Sequence, residues 1–303
     1  MLRDEWIRRQ GTGDRILNKM TLRTESRISQ LIQMACALEV CAPKPGNVNR
    51  CHDFSDARLE DFLLSAIAIG PSFENAARSG VGQIILDAVQ STRRWVRSNT
   101  NLGMILLFAP LAKACAGVTA AANIRQELIL VLNSLTVEDA RLAYDAIRLA
   151  NPGGLGSVAR ADVSDEPSIT LLEAMRLAQE RDSIAREYVT GYEITFEIGL
   201  PALGEAYAQA GNYSDAIVQS FLTIISRVPD TLIVRKNGEE AARQVSQMAI
   251  DVLNKGGIYS FEGRAALGSM DKALRDKTHR LNPGTTADIT AAALFLTLLE
   301  ALH

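Results

Sequence analysis

The chain has 303 residues, of which 47% are apolar and only 5% aromatic; it can bury a substantial core, and its Ala- and Leu-rich apolar set favours helix over strand. A formal net charge of -3 provides no global basic field, which argues against nucleic acid or an anionic membrane surface as a partner. The 4 cysteines are too few for a disulfide framework, and no secretory leader pattern opens the sequence, so a reducing, cytoplasmic setting is expected.

Residues 1–23 mix charges with Gly11 and Gly13 without firm periodicity and read as an N-terminal arm. From Thr24 the pattern changes: Ile28, Leu31, Ile32, Ala35 and Leu38 recur at three- and four-residue steps, one face of a helix. Further helices are expected near 56–69, 80–97, 102–117, 124–134, 137–150, 168–180, 183–209, 214–227, 238–254 and 285–302. Thr136-Val-Glu-Asp139 has the form of a capping box, and Gly211 followed by Asn212 ends one helix and begins another. The stretch 102–122 is the most lipid-like, but Pro110 and Lys113 interrupt it, so a buried core helix is expected there. No run alternates in polarity for long enough to read as a strand. The Asn151-Pro-Gly-Gly-Leu-Gly156 stretch punctuates the chain without dividing it. The expected architecture is therefore a single all-α domain over residues 24–303, with a central pocket between its helices.

Polar residues in the loops flanking buried helices are where chemistry should be sought. Pro43-Lys44-Pro45-Gly46 stiffens a loop around a cation that could face a phosphate, or could be a solvated connector. Asp53 follows shortly after, next to His52. Cys36, Cys41 and Cys51-His52 match no common zinc spacing. Asn99-Thr100-Asn101 opens the most apolar helix, where unpaired N–H groups can receive an anion or simply be capped. Asp230-Thr231 can offer oxygens to Mg²⁺, with Arg227 and Arg235 placed for phosphate; a surface ion-pair cluster is the alternative. Asn282-Pro-Gly284-Thr-Thr-Ala-Asp288 starts the last helix, with Thr285 or Thr286 as the cap and Asp288 either dipole-favoured or a metal ligand. Glu193 and Glu197 stand one turn apart, as a candidate base pair or an exposed acidic edge.

The order of Pro43-Lys44-Pro45-Gly46, His52-Asp53, Asn99-Thr100, Asp230-Thr231 and Asn282-x-Gly284-x-x-Ala-Asp288 resembles the triphosphoribosyl-dephospho-CoA synthase family over about residues 28–300. The resemblance implies an all-α, Mg²⁺-dependent transferase that moves the triphosphoribosyl part of ATP to dephospho-CoA and releases adenine. Its partners would be a nucleotide and a cofactor-like acceptor, with a homo-oligomer compatible. It implies a nucleotide and phosphate set of Lys44, Gly46, Asn99, Thr100, Asn101, Arg227, Arg235, Asn282 and Gly284. Asp230, Thr231 and Asp288 would then serve a metal, and Asp53, Glu193 and Glu197 the chemistry. The family reads Asn-Thr-His-Lys-Gly where this chain has Asn99-Thr100-Asn101-Leu102-Gly103. That departure, with Asn151-Pro-Gly-Gly-Leu-Gly156, resembles a divergent branch associated with archaeal and methylotroph one-carbon cofactor pathways. It leaves open a different transferase or ligase in methanopterin- or methylofuran-type cofactor assembly. A non-catalytic helical nucleotide-binding or scaffold protein is the third reading.

Overall fold

The computed structural model describes residues 27–117, 123–153, 162–276 and 278–301, so the predicted arm and part of the 151–156 loop lie outside it. The described residues form one all-α domain of 14 α-helices. They are α1 (27–41), α2 (Leu59–Phe73), α3 (Val81–Arg93), α4 (Leu102–Gly117), α5 (Ile124–Asn133), α6 (Val137–Ala150), α7 (Leu171–Ala178) and α8 (Ser183–Thr190), then α9 (Leu200–Ala210), α10 (Tyr213–Arg227), α11 (Thr231–Asn237), α12 (Glu239–Asn254), α13 (Phe261–Leu274) and α14 (Gly284–Glu300). The one β-bridge among the described residues, Asn49 to His52, closes a loop.

Two helices form the axis of the core. α4 and α14 are apolar on every side, which is the signature of a helix with no solvent face. They pack on each other; α3 and α5 cover α4, and α9 and α10 cover α14. Among the described residues no single helix is long and apolar enough to cross a membrane, in agreement with the expectation of a buried core helix at 102–117.

Proline inside a helix removes the N–H that would meet the carbonyl four residues back, and here neighbouring side chains replace it. Pro110 leaves Leu106 O free, and the buried Tyr188 hydroxyl donates to it at 2.6 Å. Pro71 leaves Ile67 O free, and Gln33 Nε2 of α1 donates to it at 2.9 Å. Both substitutions cross between helices, so each proline becomes a specific tie.

The predicted helix 183–209 is not continuous. Gly191 and Tyr192 take positive φ of 65° and 60°, ending α8, and a π-helical turn, Thr195–Gly199, precedes α9. The buried Glu187 carboxylate holds the break together by accepting from Ile194 N, Thr195 N and Thr195 Oγ1. Glu193 and Glu197 match the exposed acidic edge and not a pocket base pair: Glu193 pairs with Arg186 at 2.8 Å and Glu197 with Arg125 at 2.9 Å, all four at least one-third exposed. The capping box at Thr136 and Asp139 is present, as are the Gly211 stop and the Asn212 cap.

Candidate active site

An open cleft of about 470 Å³ is lined by the loop after α1, the starts of α4, α8 and α14, the end of α11 and the loop after α6. It receives Lys44, Asn99, Thr100, Asn101, Arg235, Asn282, Gly284 and Asp288 from the sequence-derived set. It does not receive Gly46, Asp53, Glu193, Glu197, Arg227, Asp230 or Thr231 in its lining.

Asp230 sits at a joint. Its Oδ1 accepts from Leu232 N at 2.9 Å and Ile233 N at 3.0 Å, capping α11; its Oδ2 accepts from Thr286 N at 2.7 Å and Thr286 Oγ1 at 2.8 Å, capping α14. Both oxygens of this buried carboxylate are committed to two helix starts. Thr231 Oγ1 accepts from Ser183 N at 3.1 Å and bonds Thr285 Oγ1 at 3.3 Å, adding the start of α8 to the joint. These two residues therefore tie three helix N-termini and have no free oxygen pair to present to a metal. The cap assigned to Thr285 or Thr286 is corrected with them: α14 begins at Gly284, and its first-turn N–H is satisfied from α11.

The consequence of the joint is the position of Asp288, one turn into α14. It is half-buried in the cleft lining and has no hydrogen-bond or ion-pair partner among the described residues. Its carboxylate lies over the first turn of α4, so close to Gly103 that a Cβ there would fall 2.0 Å from Oδ2. Burial, and then the nearby Glu39 carboxylate, push the Asp288 pKa well above the usual carboxylate range. Glu39 is itself buried, which raises it, while Lys44 acts in the opposite direction.

Lys44 is not a solvated connector, one of the two readings its loop allows. It is 1% exposed, donates to Glu39 O and to Ala42 O at 3.3 Å, and lies 3.0 Å from Glu39 Oε1. It delivers charge beneath the cleft from a fixed position. Gly46 serves helix packing: at φ +74° a Cβ would meet Leu274 Cβ at 2.9 Å, and its N–H donates to Asp271 Oδ1 at 2.9 Å. Asp53 is exposed and caps α2 through Leu59 N at 2.9 Å. Arg227 is exposed at the end of α10, away from the lining.

The α4 start is fixed by hydrogen bonds of its own polar side chains, of which Thr100 and Asn101 are buried. Asn99 Oδ1 accepts from Leu102 N at 3.2 Å, Thr100 Oγ1 meets Ser65 Oγ at 2.6 Å, and Asn101 pairs with Thr92 at 3.3 Å. Thr100 and Asn101 are thereby spent on fixing the turn whose backbone faces the cleft.

Residues that sequence reasoning missed complete the charge pattern. Arg93, Arg97 and Lys236 line the cleft and have no ion pair among the described residues, whereas Arg235 is held by Asp182 at 3.0 Å. Asp56, Asp182 and Glu39 also line it. With Lys44–Glu39 and Arg235–Asp182 paired off, three cations face Asp56 and Asp288, so the cleft keeps a cationic surplus for an anionic ligand. The Arg93-Arg94-Trp-Val-Arg97 run before Ser98 was the available signal. Asn282 contributes a buried Oδ1 without a hydrogen-bond partner, an acceptor available to a ligand donor. Among the described residues no three His, Cys, Asp or Glu side chains are grouped to hold a metal unaided.

A family model described as ATP:dephospho-CoA triphosphoribosyl transferase matches residues 25–303. The 2-(5''-triphosphoribosyl)-3'-dephosphocoenzyme-A synthase of Klebsiella pneumoniae is 26% identical over 289 residues, covering 92% of this chain and 98% of that protein. The protein of the same name from Pectobacterium atrosepticum is 27% identical over 289 residues, covering 89% and 88%. A crystal structure from Archaeoglobus fulgidus, provisionally named a triphosphoribosyl-dephospho-CoA synthase, matches with a TM-score of 0.65 and 30% identity, covering 80% of this chain and 99% of that one.

Proposed function

The chain belongs to the ATP:dephospho-CoA triphosphoribosyl transferase family, and from that premise we propose that the cleft between α4, α11 and α14 is where ATP loses adenine and its triphosphoribosyl group passes to the acceptor. In that transfer an acceptor hydroxyl oxygen bonds to ribose C1' while the C1'–N9 bond breaks. The hydroxyl proton is lost and adenine leaves with a proton. The observation that carries the reading is the pairing of a carboxylate, Asp288, with three cations, Arg93, Arg97 and Lys236, around one cleft, all four without an ion-pair partner among the described residues.

The roles follow from charge and placement. Arg93, Arg97, Lys236 and the paired Arg235 neutralise the triphosphate, and the first turns of α4 and α14 add N–H dipoles of the same sign. Lys44 supports the Glu39 side of the cleft from below. Asn282 offers its amide oxygen to a donor on base or ribose.

Mg²⁺ fits the donors present. This ion is commonly held by one or two carboxylates with substrate phosphates and water supplying the rest. Asp288, with the Lys44-paired Glu39 carboxylate near enough to raise its pKa, provides that kind of site. Bound there, the ion would relieve the repulsion between the two carboxylates and neutralise the transferred triphosphate. Asp230 and Thr231 act on it only through the position of α14.

The acceptor is where a second reading has support. Asn101 and Leu102 stand where the resembled family pattern has His and Lys, and both are buried here. One phosphate-facing basic contact of that pattern is thereby absent, which favours a nucleotide or acceptor that differs from the family's, on the same transfer chemistry. The four cysteines are free, in keeping with a reducing cytoplasm as the setting.

Purified protein with ATP, Mg²⁺ and dephospho-CoA is expected to release adenine, with a product heavier by the triphosphoribosyl group in mass spectrometry. Adenine release only with other acceptors selects the second reading. No adenine across an acceptor panel, with no ATP binding, overturns the assignment of the cleft.

A further inference from the structure

The phosphate and metal roles leave one part of the cleft unexplained, its aromatic margin. Phe54 and His279 both line the cleft, with ring centroids 3.9 Å apart and planes within 16° of parallel. Both are half-buried, so the pair is at the boundary between cleft and solvent and not in the core. They come from loops far apart in sequence, and each loop is braced separately. Asp53 Oδ1 accepts from Leu59 N, and Phe54 N donates to Ala57 O at 2.9 Å, closing the turn that carries Phe54. Asp276 Oδ1 accepts from Thr278 N at 2.7 Å and Thr278 Oγ1 at 2.8 Å, closing the turn that carries His279.

His279 is held in an uncommon state. Its φ is 49°, a left-handed conformation that few residues with a side chain adopt without a reason in the surrounding structure. Its Nε2 accepts from Ser55 N at 3.1 Å, which fixes the ring by its edge and leaves the faces for stacking. The same turn is tied to α11: Asn237 Nδ2 donates to Arg280 O and Arg280 Nη2 to Lys236 O, both at 2.6 Å. The stacked rings are thus linked through the backbone to Lys236, a cation of the cleft.

We propose that Phe54 and His279 form a stacking subsite for the purine ring of an adenine-bearing substrate, with its phosphates directed toward Lys236. This rests on the reading of the cleft as the transferase site and specifies its base-recognition element. Flat parallel rings attract a base through its π-face, a contact worth a severalfold to hundredfold change in affinity when the ring is removed. Two substrates of the reaction carry adenine, ATP and dephospho-CoA, and both are tested.

The full chain and its Phe54→Leu and Phe54→Tyr variants are titrated calorimetrically with ATP, dephospho-CoA and inorganic triphosphate, each with Mg²⁺. Phe54→Leu is expected to weaken at least one adenine-bearing ligand by roughly fivefold or more, to leave triphosphate within about twofold, and Phe54→Tyr to restore the loss. Loss with ATP assigns the subsite to the departing base; loss with dephospho-CoA assigns it to the acceptor. Unchanged affinity of Phe54→Leu for both ligands overturns the subsite while leaving the transferase reading intact. Equal loss of triphosphate overturns it too, since the ring pair would then only hold the two loops together. Wild-type protein that binds neither adenine-bearing ligand removes the transferase reading itself.

Discussion

Replacing Asp230 separates a structural carboxylate from a metal ligand. Its two oxygens accept four hydrogen bonds from two helix starts, and the residue is 2% exposed. Asp230→Ala removes both caps and leaves up to four buried donors unmatched. Each lost cap costs ~0.5 to 2 kcal/mol, and hydrogen bonds to an ionised acceptor are worth ~1.5 to 3 kcal/mol apiece. The sum is reduced because burial disfavours the charged form, which is why the Asp230 pKa lies above the usual range. A net loss of roughly 2 to 4 kcal/mol results for Ala. Asp230→Asn keeps one acceptor oxygen but turns an amide NH₂ toward one pair of donors, so about half that loss is expected.

Urea denaturation and thermal melting measure both variants. In a domain of this size each kcal/mol moves Tm by roughly 2 to 4 °C, so Asp230→Ala is expected to melt roughly 4 to 16 °C lower without added metal or nucleotide. Activity should fall with it, because Asp288 loses its fixed position, but the Mg²⁺ concentration for half-maximal rate should change little in Asp230→Asn. A variant with wild-type stability and a Mg²⁺ requirement raised tenfold or more would refute the joint and return Asp230 to the metal.

Gly103→Ala puts a methyl group where a Cβ would lie 2.0 Å from Asp288 Oδ2; kcat is expected to drop by ~10²-fold or more, with a stability loss of ~1 to 3 kcal/mol by urea titration. Asp288→Asn should raise the Mg²⁺ concentration for half-maximal triphosphoribosyl transfer tenfold or more while leaving the unfolding free energy from urea titration within ~0.5 kcal/mol of wild type; a large loss of stability would make the carboxylate structural. Tyr188→Phe leaves the Leu106 carbonyl, already without its helical donor because of Pro110, buried and unmatched, and should cost ~1 to 3 kcal/mol with kcat unchanged; the double variant with Pro110→Ala should recover part of that loss. Burial raises the Glu187 pKa to about 7 against hydrogen bonds that lower it. Because this value is raised, its contribution is fully present below the ordinary carboxylate pKa and is lost as pH rises to about 7, a difference on the order of 3 kcal/mol; comparing the urea stability of wild type and Glu187→Gln between pH 5 and 8 should show the slope only in wild type.

The helical architecture was most legible where an element announces itself twice, by an apolar stripe and by a cap, as α6, α7, α8 and α10 do. α6 has both the Thr136–Asp139 box and a one-sided apolar face, and its observed start follows Thr136 directly. α13 was missed for the opposite reason: Gly263 and Gly268 interrupt it, and few of its residues are buried, so no apolar period stands out although Ser260 caps it. The break at Gly191 and Tyr192 was missed because Glu187, which stabilises it, satisfies N–H groups seven and eight residues away. Local pattern carries no record of that reach.

The candidate site was legible in its parts and not in its division of labour, and the reason is physical. Asp230 and Asp288 are both acidic residues beside threonines at helix starts, so type and spacing treat them alike. They differ in how many donors surround them: Asp230 has four and Asp288 has none among the described residues. Donor count depends on which helix ends meet, a property of tertiary packing. The same distinction separates Lys44, whose ammonium is used by its own loop, from Arg93 and Lys236, whose charges remain available. A buried polar group with every bond made holds the fold, whereas one left without a partner in a cleft costs stability unless a ligand completes it. By that criterion Asp288, Asn282 and the cations around them are the residues whose deficit a magnesium triphosphate would fill, and Asp230, Thr231, Gly46 and Lys44 are the residues that keep them where it can.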